Sequence, residues 1–472
     1  MRKWLLASAI YAAWVASAAA QSTANDNPLL PRGVLGVPVQ PSTYLGGHNM
    51  MNQDGAELPP SPIKPPPGTM VVHINGRMLT FFGVEGSSAS DVGGNKLAPE
   101  QFTGQFRLYP GMDALANNGL RYGAIVEIRQ NFIGQTYGLS ITPPPGTANG
   151  GAGGNYASSP SAASSASTLF IRREAVYFGS NDIGIFRLGQ DDGPFSQLDN
   201  GITTLQFGTG AWNGRAPDNI PVNAQPNFPF WSDVGGEFAV SKFEYFSPRF
   251  AGFDFAASFA PNNGANNAAA CPVAAAGCVA LSTASSSNFG GAARPTNWYE
   301  LMGRYRANFS EVGVYAIAGY SGSGHVNAPG TQFNGFSVGD AGLALTYAGF
   351  TVASNVLWGN YDGQVALQPQ GGVSAVAWLV GAQYVAGPLG LGASYYNYQS
   401  QGSAAMVGQS QRYDDGLAAG VNYAIAPGLV AYAEYLYGQV HQGGVNLLGV
   451  GTTAEHNDVH SQSFIIGTRV QW

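Results

Sequence analysis

The chain has 472 residues, of which only 10% are charged, with 66 glycines, 29 prolines, 12% aromatics and a formal net charge of -7. Soluble domains carry roughly 25% charged residues and about 7% glycine, so an ordinary charged aqueous surface is excluded. The acid excess excludes a nucleic-acid partner, which needs a basic face, and 2 cysteines are too few for a disulfide scaffold or a cysteine zinc cluster.

Residues 1–20 read as a signal peptide. Arg2 and Lys3 form a positive start, Trp4 to Val15 an apolar middle, and Ala18, Ala19 and Ala20 a small-residue site that predicts cleavage after Ala20. The apolar part is shorter than the roughly 20 residues of a helical span. Losing Arg2 and Lys3 takes the exported chain from -7 to -9. Residues 21–68 form a Pro-rich leader ending in LPPSPIKPPPG, a stretch that favours extended polyproline conformation. It is expected to be a periplasmic spacer.

From residue 69 to 472 the pattern is alternation with the period of a two-faced strand. In the first run Val72, Ile74, Met78 and Phe82 share one face, and His73, Asn75 and Arg77 the other. Phe102, Phe106 and Leu108 then oppose Thr103, Gln105 and Arg107, and Leu120, Tyr122, Ala124, Val126 and Ile128 alternate with Arg121, Glu127 and Arg129. Further runs are expected at 169–178, 184–190, 237–246, 250–260, 298–309, 311–321, 336–348, 350–360, 373–386, 389–399, 412–424, 429–440 and 462–472. With 70–82, 102–109 and 120–130 that makes an even set of sixteen. The connections alternate between long and short, with Pro110 to Gly119 as the longest of the expected turns. A soluble sandwich would show a charged outer face and shorter loops. The pattern instead predicts an all-β fold, a transmembrane antiparallel 16-stranded up-and-down barrel with apolar residues toward lipid, polar ones toward the lumen, and both termini in the periplasm.

By parity Arg77, Arg107, Arg121, Arg129 and Arg187 face the lumen, joined by Arg173 or its neighbour Arg172. Glu127 and Glu174 are expected to face inward with them. Residues 191–235 form a long acidic loop holding Asp191, Asp192 and Asp199, with Phe195, Phe207, Trp212, Phe228, Phe230 and Trp231 to order it against the wall. Acids opposite arginines would set a transverse field that orients dipolar solutes. Tyr396, Tyr398, Tyr432 and Trp298 are candidates either for a stacking track in a solute-selective channel or for the aromatic girdles at the membrane edges.

Catalysis is not expected. Of the 6 histidines only His73 falls in an expected strand; His48, His325, His441, His456 and His460 fall in the leader or in expected loops. Asp414 and Asp415 point to opposite faces and cannot act as an acid/base pair. Glu455, His456, Asp458 and His460 are set aside as a metal cluster, because helical spacing means little in a polar loop. Neither a cofactor nor a metal is expected. Cys271 and Cys278 bracket CPVAAAGC in a Gly-, Ala- and Asn-rich stretch, and export predicts a disulfide between them.

The segments GLRYGAIVEIRQNF, FIRREAVYFGSNDIGIFRLGQ, FEYFSPRFAGFDFAASFAP and GLVAYAEYLYG, with the final FIIGTRVQW, resemble the general porins of Gram-negative bacteria from about Gly68 to Trp472. The turn Ser247 to Phe250 is the most specific match. The chain departs from the family in ending on Trp472 where Phe is usual and in carrying Gln190 where Arg is frequent. The resemblance implies an outer-membrane homotrimer of water-filled channels for passive diffusion of small hydrophilic solutes and ions, each narrowed by an inward-folded third loop. It further implies that Phe464, Val470 and Trp472 on the last strand are read by the barrel-assembly machinery. A sugar- or acid-selective channel, or a structural barrel tethered by the leader, are the alternatives.

Overall fold

The computed structural model describes residues 65–88, 91–92, 95–96, 99–131, 169–180, 182–198, 240–262, 296–324, 326–328, 331–361, 368, 371–401, 411–426, 428–444, 447 and 457–472. Sixteen of the strands close into one antiparallel barrel. They are β1 (Thr69–Ser87), β2 (Glu100–Leu115), β3 (Arg121–Asn131), β4 (Phe170–Ser180), β5 (Gly184–Asp191), β6 (Val240–Phe246), β7 (Phe253–Asn262), β8 (Thr296–Phe309), β9 (Val312–Gly322), β10 (Ser337–Tyr347), β11 (Phe350–Asn360), β12 (Ala375–Ala386), β13 (Leu389–Ser400), β14 (Arg412–Ala426), β15 (Leu429–His441) and β16 (Asp458–Gln471). Each pairs with its sequence neighbours, and β1 closes on β16 in the register Met78↔Val470 and Phe82↔Ile466. Closure pairs every strand on both sides, which removes the sheet edge and satisfies the backbone without water.

The wall has two chemistries. Val72, Ile74, Phe82, Leu343, Val352, Trp378 and Ile466 are exposed on its outside. Arg77, Glu127, Arg187, Glu300, Asp340 and Glu434 are buried on its inside. Rings gather outside near the turns, where Phe178 stacks on Phe186 at 5.7 Å, Phe186 meets Tyr245 at 4.9 Å and Phe350 meets Tyr384 at 4.3 Å. Tyr299 and Tyr320, 6.1 Å apart, and Trp378 and Tyr395, 5.4 Å apart, lie toward the loop end. Such paired girdles fit the two interfaces of a membrane. No helix among the described residues is long and apolar enough to cross one.

Where strand limits differ from expectation the cause is local. β2 continues through Pro110 to Leu115 because β1 pairs with it throughout, Ile74 facing Pro110 and Thr69 facing Leu115. The missing proline N–H shows on the other side, where pairing with β3 passes from Leu108↔Ile128 to Gly111↔Ile125. The last strand starts earlier, at Asp458. His441 and His460, expected in loops, therefore end β15 and lie in β16. At one of the two-residue turns, Ala348 and Gly349 both take positive φ, 47° and 85°, the geometry of a type I′ hairpin turn.

The inner face is itself divided. From β10 to β16 it is lined by Val338, Ala344, Ala353, Leu357, Leu379, Leu436 and Ile465. This explains why β12 and β13 look apolar on both faces. The charges lie chiefly on β1 to β9.

Candidate functional site

Pairing sets the arginines side by side. Arg77 faces Arg107 across β1 and β2, and Arg107 faces Arg129 across β2 and β3, so three arginine Cα positions stand abreast. Arg121 lies on the same inner face nearer the turns. A bulge in β4 opposite Glu127 and Ile128 decides the adjacent pair: Ile171 stays outside, Glu127 faces Arg173, and Arg173 turns inward at 1% exposure.

Acids are interleaved with these bases on one wall. Glu127 accepts from Arg173 Nε and lies 3.7 Å from Arg107 Nη1. Arg173 Nη1 reaches Asp192 Oδ2 at 3.3 Å and Asp191 Oδ1 at 3.8 Å. Arg187 Nη1 donates to Asp191 Oδ2, and to Gln197 Oε1 at 2.9 Å, and lies 3.5 Å from Glu244 Oε2. Its guanidinium carbon sits 4.8 Å from the centre of the Phe246 ring. Lys242 Nζ donates to the Asp191 carbonyl. Breaking one partner of such a buried pair leaves an uncompensated charge, at a cost of about 3–5 kcal/mol.

Asp191 ends β5 and Asp192 follows it, so both stand beside Arg173 and Arg187 rather than opposite them. Here the third long connection leaves the wall. Pro194–Gln197 form one helical turn, α1, opened by the proline, whose missing N–H is not needed there. The Phe195 N–H donates to Glu300 Oε2 on β8 at 3.0 Å, and the Leu198 carbonyl accepts from Tyr315 on β9 at 3.4 Å. Residues 192–198 thus cross the inside of the barrel from β5 to β9. Asp199, Phe207, Trp212, Phe228, Phe230 and Trp231 lie outside the described residues, as do Cys271, Cys278 and the 1–20 segment.

Several residues fall elsewhere than expected. Glu174 is exposed on the outer face beside Gln190, because Arg173 turns inward and the strand alternates from there. Trp298, Tyr396, Tyr398 and Tyr432 all lie on the inner face, away from the girdles, at 4% exposure or less. Trp298 stacks on Phe336 at 4.7 Å and Tyr398 on Tyr361 at 5.8 Å, so these rings pack against connections folded into the loop end. Asp414 is buried inside beside Arg412 while Asp415 points outward toward Tyr395. His441 lies 3.8 Å from Asp458. Phe464, Val470 and Trp472 share the exposed outer face of β16. Lys242, Glu244 and Glu300 complete the charged wall; the alternation in VSKFEYF and NWYELMGRYR already sets them inward. Gln197 carries no such signal, since only the helical turn brings it to Arg187.

The family model for Gram-negative porins matches residues 7–442. The chain belongs to the Gram-negative porin family. This porin's fold resembles the anion-selective porin from Comamonas acidovorans, with a TM-score of 0.52 at 14% identity over 86% of this chain and 100% of that one. A loop L8 deletion mutant of OmpT, an outer membrane protein of Vibrio cholerae, aligns with a TM-score of 0.48 at 15% identity over 85% and 99% of the two chains. A mutant of the Rh. blastica porin aligns at 0.45 and 12% identity over 85% and 100%. No curated protein matches the sequence. Family and barrel together place the porin in the bacterial outer membrane, in contact with lipid, as a channel-forming protein.

Proposed function

We propose that this porin is a water-filled channel for passive diffusion of small hydrophilic solutes and ions, without catalytic activity, working as a homotrimer. The observation that carries the reading is the charge-lined inner wall of β1 to β9 inside an apolar outer belt, the reverse of a soluble barrel. The crossing of residues 192–198 supports a constriction beside Arg77, Arg107, Arg121, Arg129, Arg173 and Arg187, with Asp191, Asp192 and Asp199 as its acidic members. General permeation is favoured over a sugar-stacking track because Tyr396, Tyr398, Tyr432 and Trp298 are all buried. In this reading the long connections face outside and the turns face the periplasm. Residues 1–20 are removed after Ala20, residues 21–68 act as a spacer, and the last strand is the surface offered to the assembly machinery.

Single-channel recording with a panel of sugars and organic ions tests the reading. Ohmic conductance with exclusion graded by solute size is expected. Absence of conductance from a correctly folded barrel, or saturable transport of one sugar alone, would overturn it. The trimer should run as a heat-sensitive band in detergent, and a monomeric mass before heating would remove it.

A further inference from the structure

The four long connections between β9 and β16 are tied to one another in series. Asn334, between β9 and β10, gives its main-chain N–H to the Gln368 carbonyl at 2.9 Å and its Nδ2 to Gln368 Oε1 at 2.8 Å. Gln368, between β11 and β12, gives its Nε2 to the Val373 carbonyl. The Val373 N–H then donates to Gln401 Oε1, between β13 and β14, at 2.9 Å. Gln442, between β15 and β16, ends the series: its Nε2 donates to the Gln401 carbonyl at 3.1 Å and its N–H to the Asn457 carbonyl at 2.9 Å. A primary amide carries donors and an acceptor at one tip, so these glutamines join irregular backbone segments that have no ladder of their own.

This belt is seated in the mouth of the barrel and does not stand clear of it. Gln368 and Gln442 are 1% and 0% exposed. Phe336, two residues after Asn334, lies on the inner-wall ring of Trp298, and its N–H donates to Ser323 Oγ at 2.9 Å. Tyr361 lies on Tyr398, and Leu447 is buried in the same apolar cluster as both pairs. The wall beneath is graded with depth. Its loop half carries Val338, Leu357, Leu379, Leu436 and Val440, whereas its turn half carries Thr346, Thr351, Gln383 and Asn422. An apolar wall bordering a water path would dewet it, so an apolar sector confined to the depth of the inward connections is a packing seat for them.

We propose that these tied residues form a fixed cap over the β10 to β16 side of the loop-end mouth, that solutes pass in along the charged β1 to β9 side, and that Gln368 sets the size limit for entry. Gln368 is the centre of the belt because it alone joins Asn334 to Val373. A fully connected polar network of this kind rigidifies what it joins, which a size limit requires. The proposal rests on the lumen being a diffusion path, but the two readings fail separately: conductance reports the path, and a size limit that differs between the two sides reports the cap.

The test is polymer exclusion with the purified full-length protein in planar bilayers, neutral polyethylene glycols of graded size being added to one side at a time while salt current is recorded. In the wild type one side should exclude smaller polymers than the other, the capped mouth being the narrower. Gln368→Ala removes the side-chain bonds to Asn334 and Val373 and should move the cut-off on that side alone toward larger polymers, with the other side unchanged. Phe336→Ala, which removes the ring seated on Trp298, should act in the same direction and decides the matter if Gln368→Ala does not assemble. Hydrogen exchange supplies a readout that needs no current: the Asn334, Val373 and Gln442 amides should exchange slowly in the wild type and faster together in Gln368→Ala. Equal cut-offs from the two sides of the wild type, unchanged cut-offs in the assembled variants, or rapid exchange at those amides in the wild type would overturn the cap.

Discussion

Trp472 and Gly76 exchange both main-chain hydrogen bonds, N to O at 3.0 Å in each direction, and the indole covers the place a side chain on residue 76 would occupy. A Cβ there would lie 2.3 Å from Trp472 Cζ2, and the ring continues to Phe106 at 6.4 Å. The last residue of the chain is thus the final rung of the seam that closes the barrel. Deleting Trp472 removes two backbone bonds and the outer ring together, whereas Trp472→Phe keeps the bonds and an aromatic. The deletion should cut the yield of heat-modifiable barrel in the outer membrane several-fold, and the Phe variant should remain near wild type. Equal membrane yields for the deletion and the wild type would show that neither the seam nor the terminal ring guides assembly.

Glu300 holds the inward-crossing segment by one hydrogen bond from the Phe195 N–H. Both Glu300 and Phe195 are buried, so Glu300→Ala exposes that N–H to an unmatched site at a cost of about 1–3 kcal/mol. The expected readout is noisier open-channel current and a higher mean conductance, while Glu300→Gln keeps an acceptor and stays closer to wild type. Unaltered current noise in Glu300→Ala would mean that the segment is held by its other contacts.

The fold was legible because the wall separates two solvents. Arg77 between Gly76 and Met78, or Glu127 between Val126 and Ile128, reports its face by parity alone. The signal fades wherever one face loses its contrast. Along β12 and β13 the inner side carries Ala375, Ala377 and Leu379 opposite Val376, Trp378 and Val380, so period two is present without polarity to mark it. Pro110 looked like a terminus because it lacks a donor, yet β1 holds the strand together across it. Parity also fails at Arg172 and Arg173, where Arg173 turns inward and Glu174 points out. What no periodicity carries is contact between distant elements. The grip of Gln197 on Arg187, the Phe195 bond to Glu300, and the meeting of Arg304 and Arg306 at Asp254 all require the closed barrel to exist first.

Cys271 and Cys278 are separated by six residues, and a bridge between them would close a small ring on the connection between β7 and β8. The non-reduced protein should resist thiol labelling under denaturing conditions and gain two labels after reduction. Converting both residues to serine should leave single-channel conductance unchanged. Two labels on the non-reduced protein would remove the bridge.

Selectivity follows from which charges are matched. Along the candidate constriction Glu127, Asp191, Asp192 and Glu244 are interleaved with Arg107, Arg173, Arg187 and Lys242, so these four acids and four bases balance one another. With residues 1–20 removed as proposed, the chain would stand at -9, an acid excess expected at the mouths. Within a Debye length of about 8 Å at physiological salt, that excess raises the local cation concentration without closing the path to anions. A weak cation preference is therefore expected. Neutralising Asp191 and Asp192 together removes the nearest acid of Arg187 and two of the three acids beside Arg173 and should move the reversal potential toward anions. Neutralising Arg107 and Arg173 instead releases Glu127, Asp191 and Asp192 and should move it toward cations, with a small rise in conductance from the shorter side chains. The shifts should shrink as salt rises, because screening shortens the reach of every unmatched charge. If both double variants fold and keep the wild-type reversal potential at low salt, ions do not pass along this wall.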